Sequence, residues 1–141
     1  MKKTMKVSIS ILLCFVFLLC LASCNTVDKT GVWENATYRR DMSFGEGAKT
    51  VVVEVEVGEQ SITFTLQTDK ETVGAALLEH ELIAGEEGAY GLYVKVVNGM
   101  TADFDVDQSY WAFYINGETA MNGVDMTPIE EGAVYKLAYT K

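Results

Sequence analysis

The sequence of 141 residues predicts an α+β fold of the β-grasp-like type, in which one helix packs on one face of a mixed β-sheet. Apolar and polar residues alternate over 51–57 and again over 62–66, as in strands with one buried face. The residues 73–83 then place apolar side chains at helical spacing. Three further β-rich runs follow, at 92–97, 109–116 and 133–139. Because one helix covers only one face of such a sheet, we expect the other face to meet water or a partner.

The first two predicted strands form an amphipathic hairpin that turns at Gly58. On one face every second residue is apolar, and on the other face glutamate and threonine side chains point to water. The predicted core positions of this hairpin are Val51, Val53, Val55, Val57, Ile62, Phe64 and Leu66.

A capping-box pattern predicts where the helix begins. Thr68 is the expected N-cap, and Glu71, three residues later, is expected to reach back to the backbone N–H of Thr68. The apolar stripe from Val73 to Ile83 follows, and Gly85 is a natural stop. A helix of this length depends on packing against the sheet for its stability.

The residues 109–124 hold the densest aromatic cluster of the chain. The dipeptide Asn116-Gly117 suits the two positive-φ positions of a type I′ turn, which predicts a strand and the start of its return. Alternation along the strand predicts one face buried under the helix, formed by Trp111, Phe113 and Ile115.

The opposite face of the same strand is a candidate contact surface. Tyr110 and Tyr114 lie on it, and tyrosine suits a contact that is half exposed to water. Met121 and Met126 follow the turn and supply adaptable apolar contact for a flat ligand or a partner. Since the aromatic cluster either anchors the core or presents rings to a ligand, the candidate ligand-binding residues are Tyr110, Trp111, Tyr114, Asn116, Gly117 and Met121.

The N-terminal residues have the composition of an export signal. Three lysines precede the apolar run 7–19, which is shorter than the ~20 residues that a spanning helix needs. The run ends in Leu-Ala-Ser-Cys at 21–24, which resembles the lipobox of bacterial lipoproteins; the alternative is an ordinary secretory signal with an incidental cysteine. We therefore expect a signal peptide (1–23), a tether (24–48) and one binding domain (49–141), with the membrane anchor on lipidated Cys24.

Cysteine content and charge exclude several classes of function. Cys14 and Cys20 lie in the predicted signal and Cys24 would be lipidated, so the folded part has no thiol for a disulfide, a metal site or a nucleophile. The residues 24–141 carry eight basic and twenty acidic side chains, a net charge of 8 − 20 = −12. Such a surface repels nucleic acid and anionic lipid headgroups, and neither is an expected partner.

The alternating carboxylates Asp103, Asp105 and Asp107 resemble the opening of a calcium loop. That loop also needs glycine at its sixth position and glutamate at its twelfth, where this chain has Gln108 and Tyr114. The calcium-loop motif is therefore absent, which leaves either a looser cation site or a solvated strand edge or turn.

No set of residues predicts an enzyme. His80 is the only histidine, and no serine or cysteine motif accompanies it. The glycines at 45 and 47 precede a strand, whereas a phosphate-binding loop follows a strand and opens a helix. We therefore expect neither catalysis, nor a bound metal, nor an intrinsic cofactor.

Several segments resemble the domain of unknown function 4430, which is similar to the C-terminal β-domain of transcobalamin and intrinsic factor. These are the residues 72–78, 91–94, 97–99, 110–118 and 131–132, and the resemblance covers roughly 49–141. The family occurs in surface lipoproteins of Gram-positive bacteria, and in the vitamin carriers this domain closes over one face of cobalamin. The resemblance thus implies binding rather than catalysis.

Together these observations predict a lipid-anchored extracytoplasmic module that captures cobalamin, another corrinoid or a similar flat ligand. Its expected partners are the membrane and either a membrane transporter or a second binding protein. The alternative is a protein-interaction or structural module of the cell envelope, which would use strand edges and its acidic face and bind no small molecule.

Overall fold

A computed structural model describes residues 28–141. The predicted signal peptide and the predicted lipidation site Cys24 lie outside the described residues. No helix in the described part of the chain is long and apolar enough to cross a membrane.

Residues 28–141 form nine β-strands, two short α-helices and two 3₁₀ turns. The strands are β1 (Met42–Gly45), β2 (Lys49–Val57), β3 (Gln60–Thr68), β4 (Ile83–Gly88), β5 (Gly91–Val97), β6 (Met100–Thr101), β7 (Tyr110–Ile115), β8 (Glu118–Thr119) and β9 (Val134–Thr140). The helices are α1 (Val73–Glu79) and α2 (Phe104–Asp107), and the 3₁₀ turns are Gly31–Trp33 and Val124–Met126.

Six strands form a mixed sheet in the order β1-β3-β2-β9-β7-β8. The central strand β2 runs antiparallel to β3 and parallel to β9. The predicted α+β class with a mixed sheet and one main helix is therefore confirmed.

A second sheet of three strands, in the order β4-β5-β6, was not predicted as a separate unit. Its first strand occupies residues that the apolar stripe assigned to the helix. The helix ends at Glu79, and Glu81 with a φ of 54° turns the chain into β4. Gly85 lies at a bulge, where a Cβ would come within 2.0 Å of the carbonyl oxygen of Tyr93, so this glycine permits close strand contact and does not end a helix.

The prediction of Thr68 as the N-cap was wrong by one helical turn. Thr68 extends β3, and its buried hydroxyl donates a hydrogen bond to Glu79 Oε2 at 2.8 Å. The N-cap is Thr72, whose hydroxyl accepts a hydrogen bond from the N–H of Ala75 at 3.2 Å. The backbone at Glu71 and Thr72 is instead held extended by pairing with the segment at 128–129.

The core lies between the inner face of the six-stranded sheet and a layer made of α1, the three-stranded sheet and Val124. The register pairs Trp111 with Tyr139, Phe113 with Leu137 and Ile115 with Tyr135, which puts all six side chains on this inner face. Trp111 is 7% exposed, and Phe113 and Ile115 pack partly buried against the core. The predicted core positions of β2, β3 and β7 are confirmed.

Residues 28–48, which we predicted as part of a tether, instead pack on the domain. Trp33 is fully buried, and β1 adds a parallel strand to β3. The backbone of Tyr38 exchanges two hydrogen bonds of 2.8 Å with the side-chain amide of Asn98. Because this segment carries large aromatic side chains, burying them against the sheet outweighs the chain entropy that a free tether would keep.

Candidate functional site

The hairpin between β7 and β8 turns at Asn116 and Gly117, whose φ angles are 51° and 84°. Two positive values in succession confirm the predicted type I′ geometry. Asn116 also attaches this hairpin to β9: its N–H donates to the carbonyl of Val134 at 2.8 Å, and its Oδ1 accepts from the N–H of Val134 at 2.9 Å. The amide oxygen of Asn116 therefore serves the fold, and its Nδ2 is the atom left for a ligand.

A cleft of about 370 Å³ opens between this hairpin and the segment 121–130. Its lining residues are Ile115, Asn116, Glu118, Thr119, Ala120, Met121, Asn122, Met126, Thr127, Pro128, Glu130 and Tyr135. Met121 is 95% exposed and Met126 is 57% exposed. Two such large apolar side chains at one opening favour contact with an apolar surface.

Tyr135, on β9 below the cleft, is hydrogen-bonded to the segment 121–130. Its hydroxyl donates to the carbonyl of Pro128 at 3.3 Å and accepts from the N–H of Glu130 at 2.9 Å. This side chain is also stacked against Phe113, with ring centroids 6.2 Å apart. The loop that carries Met126 is therefore joined to the sheet by a buried hydrogen-bonded tyrosine.

The cleft combines an apolar floor with a polar rim. Amide groups come from two asparagines, a hydroxyl comes from Thr119, and carboxylates come from Glu118 and Glu130. The hydroxyl of the buried Thr127 instead donates to the carbonyl of Gly123 at 2.9 Å. No lysine or arginine is among the residues that line it. The cleft thus suits a neutral or cationic ligand with one apolar face, and it disfavours an anionic one.

The structure distributes the six predicted ligand-binding residues over three places. Asn116 and Met121 line the cleft, with Gly117 beside it at the tip of the turn. Trp111 lies in the core, where its ring meets Tyr139 edge to face at 5.5 Å. Tyr110 and Tyr114 lie on the outer face of the sheet, away from the cleft.

Apart from Met121 and Met126, the sequence prediction missed the residues of the segment that closes the cleft from the other side. Thr127, Pro128 and Glu130 lie on that segment, and Tyr135 lies below it. The only proline of the chain and the preceding methionine were the available signals. Nothing in the sequence brings this loop to the turn at Asn116, because they meet only through the pairing of β7 with β9.

The outer face of the sheet pairs its own charges. Lys136 Nζ lies 2.9 Å from Glu56 Oε2 and 3.8 Å from Glu54 Oε2. The hydrogen bond to Glu56, with the charges of both glutamates, raises the pKa of Lys136 against the opposing effect of partial burial. Tyr114 lies directly opposite Lys136 in the register. This face therefore pairs opposite charges, whereas the cleft exposes two methionine side chains.

Of the three alternating aspartates around α2, Asp103 and Asp107 serve local structure, and Asp105 is exposed. Asp103 Oδ1 accepts from the N–H of Asp105 at 3.0 Å and caps the helix. Asp107 accepts hydrogen bonds from the hydroxyl and the N–H of Ser109 and pairs with Lys141 at 3.0 Å; these contacts, led by the Ser109 hydroxyl, lower the pKa of Asp107 to about 2. Within residues 28–141, no three His, Cys, Asp or Glu side chains converge as a metal site.

His80 lies away from the cleft, at the end of α1. Its ring meets Phe44 edge to face at 5.0 Å, and its Nε2 is 3.8 Å from Glu79 Oε2. The contact with β1 makes this histidine part of the packing of the N-terminal segment.

Comparison with known proteins assigns the chain to a family. Residues 70–141, about half of the chain, match the model of a domain of unknown function, DUF4430. The chain belongs to this family, as the sequence predicted. Among curated proteins, none matches the sequence.

Two solved structures share the fold. A protein from Ruminococcus gnavus, described as a candidate metal-binding protein, is 32% identical over 67% of this chain and 98% of that chain, with a TM-score of 0.63. Haptocorrin, solved in complex with Cbi, is 17% identical over 66% of this chain and 25% of that chain, with a TM-score of 0.53. The chain therefore shares its fold with the Ruminococcus gnavus protein and with part of haptocorrin.

Proposed function

We propose that this chain is a lipid-anchored extracytoplasmic binding module, not an enzyme, whose cleft holds one face of a corrinoid or a similar flat ligand. The observation that carries this proposal is the cleft itself, where Met121 and Met126 expose thioether side chains beside the turn at Asn116. The fold shared with haptocorrin, a protein solved with Cbi, supports the ligand class.

The chemistry of the cleft suits such a ligand. A methionine side chain is unbranched and polarisable, so it adapts to a broad apolar ring. The two asparagine side chains and Thr119 can donate to and accept from amide groups at the edge of a macrocycle. The absence of lysine and arginine from the lining leaves no partner for a strongly anionic ligand.

The size of the cleft indicates that it covers only part of the ligand. A volume of about 370 Å³ lies at the low end of the ~300–1,000 Å³ typical of small-molecule sites. A corrinoid bound here would keep its other face exposed. We therefore propose that a membrane transporter or a second binding protein contacts that face and receives the ligand.

The test is a calorimetric and absorbance titration of the full-length protein, in detergent, with cobinamide and cobalamin. The double substitution Met121→Ser and Met126→Ser removes most of the apolar contact, and we expect affinity to fall about tenfold for each ~1.4 kcal/mol lost. Val106→Ser is the matched control, because Val106 is 80% exposed on α2 and does not line the cleft. If the titration gives neither heat nor an absorbance change at high micromolar ligand, direct corrinoid binding is contradicted.

A further inference from the structure

Among residues 28–141, no side chain or backbone group pairs with the shielded carboxylate oxygen Oδ1 of Asp125. This residue lies in the 3₁₀ turn Val124–Met126, and its Oδ1 is shielded from solvent without a hydrogen-bond partner among residues 28–141. Asp125 also takes no part in the ion pairs formed by the described residues. A shielded carboxylate oxygen is costly unless something replaces its lost water.

Two backbone carbonyl oxygens converge with this carboxylate beside Gly123. A carbon atom in the Cβ position of Gly123 would lie 3.1 Å from Asp125 Oδ1, 3.7 Å from the oxygen of Leu92 and 3.8 Å from the oxygen of Tyr90. All three nearest atoms are oxygens, and one of them carries negative charge.

Glycine at two positions keeps this space free. At Gly91, where φ is +99°, a Cβ would lie 2.7 Å from both carboxylate oxygens of Asp125. At Gly123 a Cβ would lie within 4 Å of all three oxygens. The backbone at Gly123 has φ −66° and ψ 169°, which any residue adopts, so this position does not need glycine for its conformation.

We propose that Asp125 Oδ1 and the carbonyl oxygens of Tyr90 and Leu92 bind a hard cation, for which Ca²⁺ is the best fit. Ca²⁺ takes six to eight oxygen ligands in flexible geometry, so waters would complete the shell. Mg²⁺ demands stricter geometry, and softer metals prefer nitrogen or sulfur. The charge of 8 − 20 = −12 on residues 28–141 adds a favourable field for a cation.

The cation would connect the cleft wall to the β4–β5 hairpin. Asp125 precedes Met126, which lines the cleft, whereas the two carbonyl ligands belong to the turn and the first residues of β5. Bound Ca²⁺ would thus hold the segment that carries Met126 and raise the stability of the folded chain.

The experiment compares chelator-treated full-length protein with and without Ca²⁺, by calorimetry and by thermal unfolding. We expect weak binding, with a Kd of roughly 10⁻⁴–10⁻³ M as in extracellular modules, and a rise in Tm on adding Ca²⁺. Asp125→Asn removes the charge at constant shape, and Gly123→Ala fills the space with a methyl group while leaving the carboxylate in place. Both should abolish the Ca²⁺-dependent rise in Tm.

The control is Asp105→Asn, which makes the same change of charge on the exposed helix α2 and should keep the full Ca²⁺ response. An unchanged Tm of the wild-type protein up to about 10 mM Ca²⁺, ten times the weakest expected Kd, overturns the proposal and indicates a water between the oxygens. An equal Ca²⁺ response in all three variants overturns it as well, because the ion would then bind elsewhere. If Asp125→Asn fails to fold, the Ca²⁺-dependent change in the Tm of Gly123→Ala tests the proposal by itself.

Discussion

Trp111 and Tyr114 are three residues apart on β7, yet they face opposite sides of the sheet. The pleat of the strand is the reason, since neighbouring side chains alternate between faces. Trp111 joins the core, whereas Tyr114 lies among the polar side chains of the outer face. The same aromatic cluster thus has a structural half and a surface half.

We expect Trp111→Ala to lower the free energy of unfolding by about 3–5 kcal/mol, because it leaves a cavity beside Tyr139. Tyr114→Ala loses cross-strand contact with Lys136 and Thr119 and should cost about 1 kcal/mol or less. Urea denaturation of both variants measures the difference. If Tyr114→Ala unfolds the domain and Trp111→Ala leaves it intact, the two faces have been assigned in reverse.

At the scale of elements, none of the short segments is stable by itself. The helix α1 has seven residues, fewer than an isolated helix needs to form in water. Its N-cap Thr72 and its buried residues Val73 and Leu77 fix it between the sheet and the turn at Val124. The segment before β2 depends on packing in the same way.

Trp33→Ala tests whether this N-terminal segment belongs to the domain. Because Trp33 is fully buried, its removal should lower the free energy of unfolding by about 3–5 kcal/mol. Val32→Ala is the neighbouring control, since Val32 is 40% exposed and should change stability by roughly 0.5 kcal/mol or less. Equal unfolding midpoints for wild type and Trp33→Ala would show that residues 28–48 behave as a tether after all.

At the scale of the whole molecule, the two faces of the main sheet have different roles. The inner face is covered by α1 and the second sheet, whereas the outer face is polar and pairs its own charges. The cleft lies at the end of the sheet, where the β7–β8 hairpin meets the segment 121–130.

The proposed anchor also belongs to this scale. If Cys24 carries two acyl chains, Cys24→Ser should move the protein from the membrane fraction to the soluble extracytoplasmic fraction. Fractionation followed by immunoblotting measures it, with Ser23→Thr, which keeps the cysteine, as the control. Retention of the Cys24→Ser protein in the membrane contradicts the anchor.

Periodicity in the sequence was sufficient for the central strands, the core positions of β7 and the type I′ turn, because each depends on side chains within one short segment. The start of α1 and the strand β4 were not predictable in this way. Thr68 and Thr72 both suit an N-cap, and pairing of the extended backbone with residues 128–129 decides between them. Leu82 and Ile83 continue a helical stripe, but the chain turns at Glu81 and Ile83 begins β4.

By itself, the sequence determined the α+β class, the family, the acidic charge and the two faces of β7. Only the tertiary structure decided where a ligand could bind, since the cleft unites Asn116 with Pro128 and Tyr135 through strand pairing. It also brought Asp125 to the carbonyls of Tyr90 and Leu92, which lie more than thirty residues earlier. Local patterns record which face of an element is buried, whereas a site joins residues that are distant in sequence and only meet when the sheets close on each other.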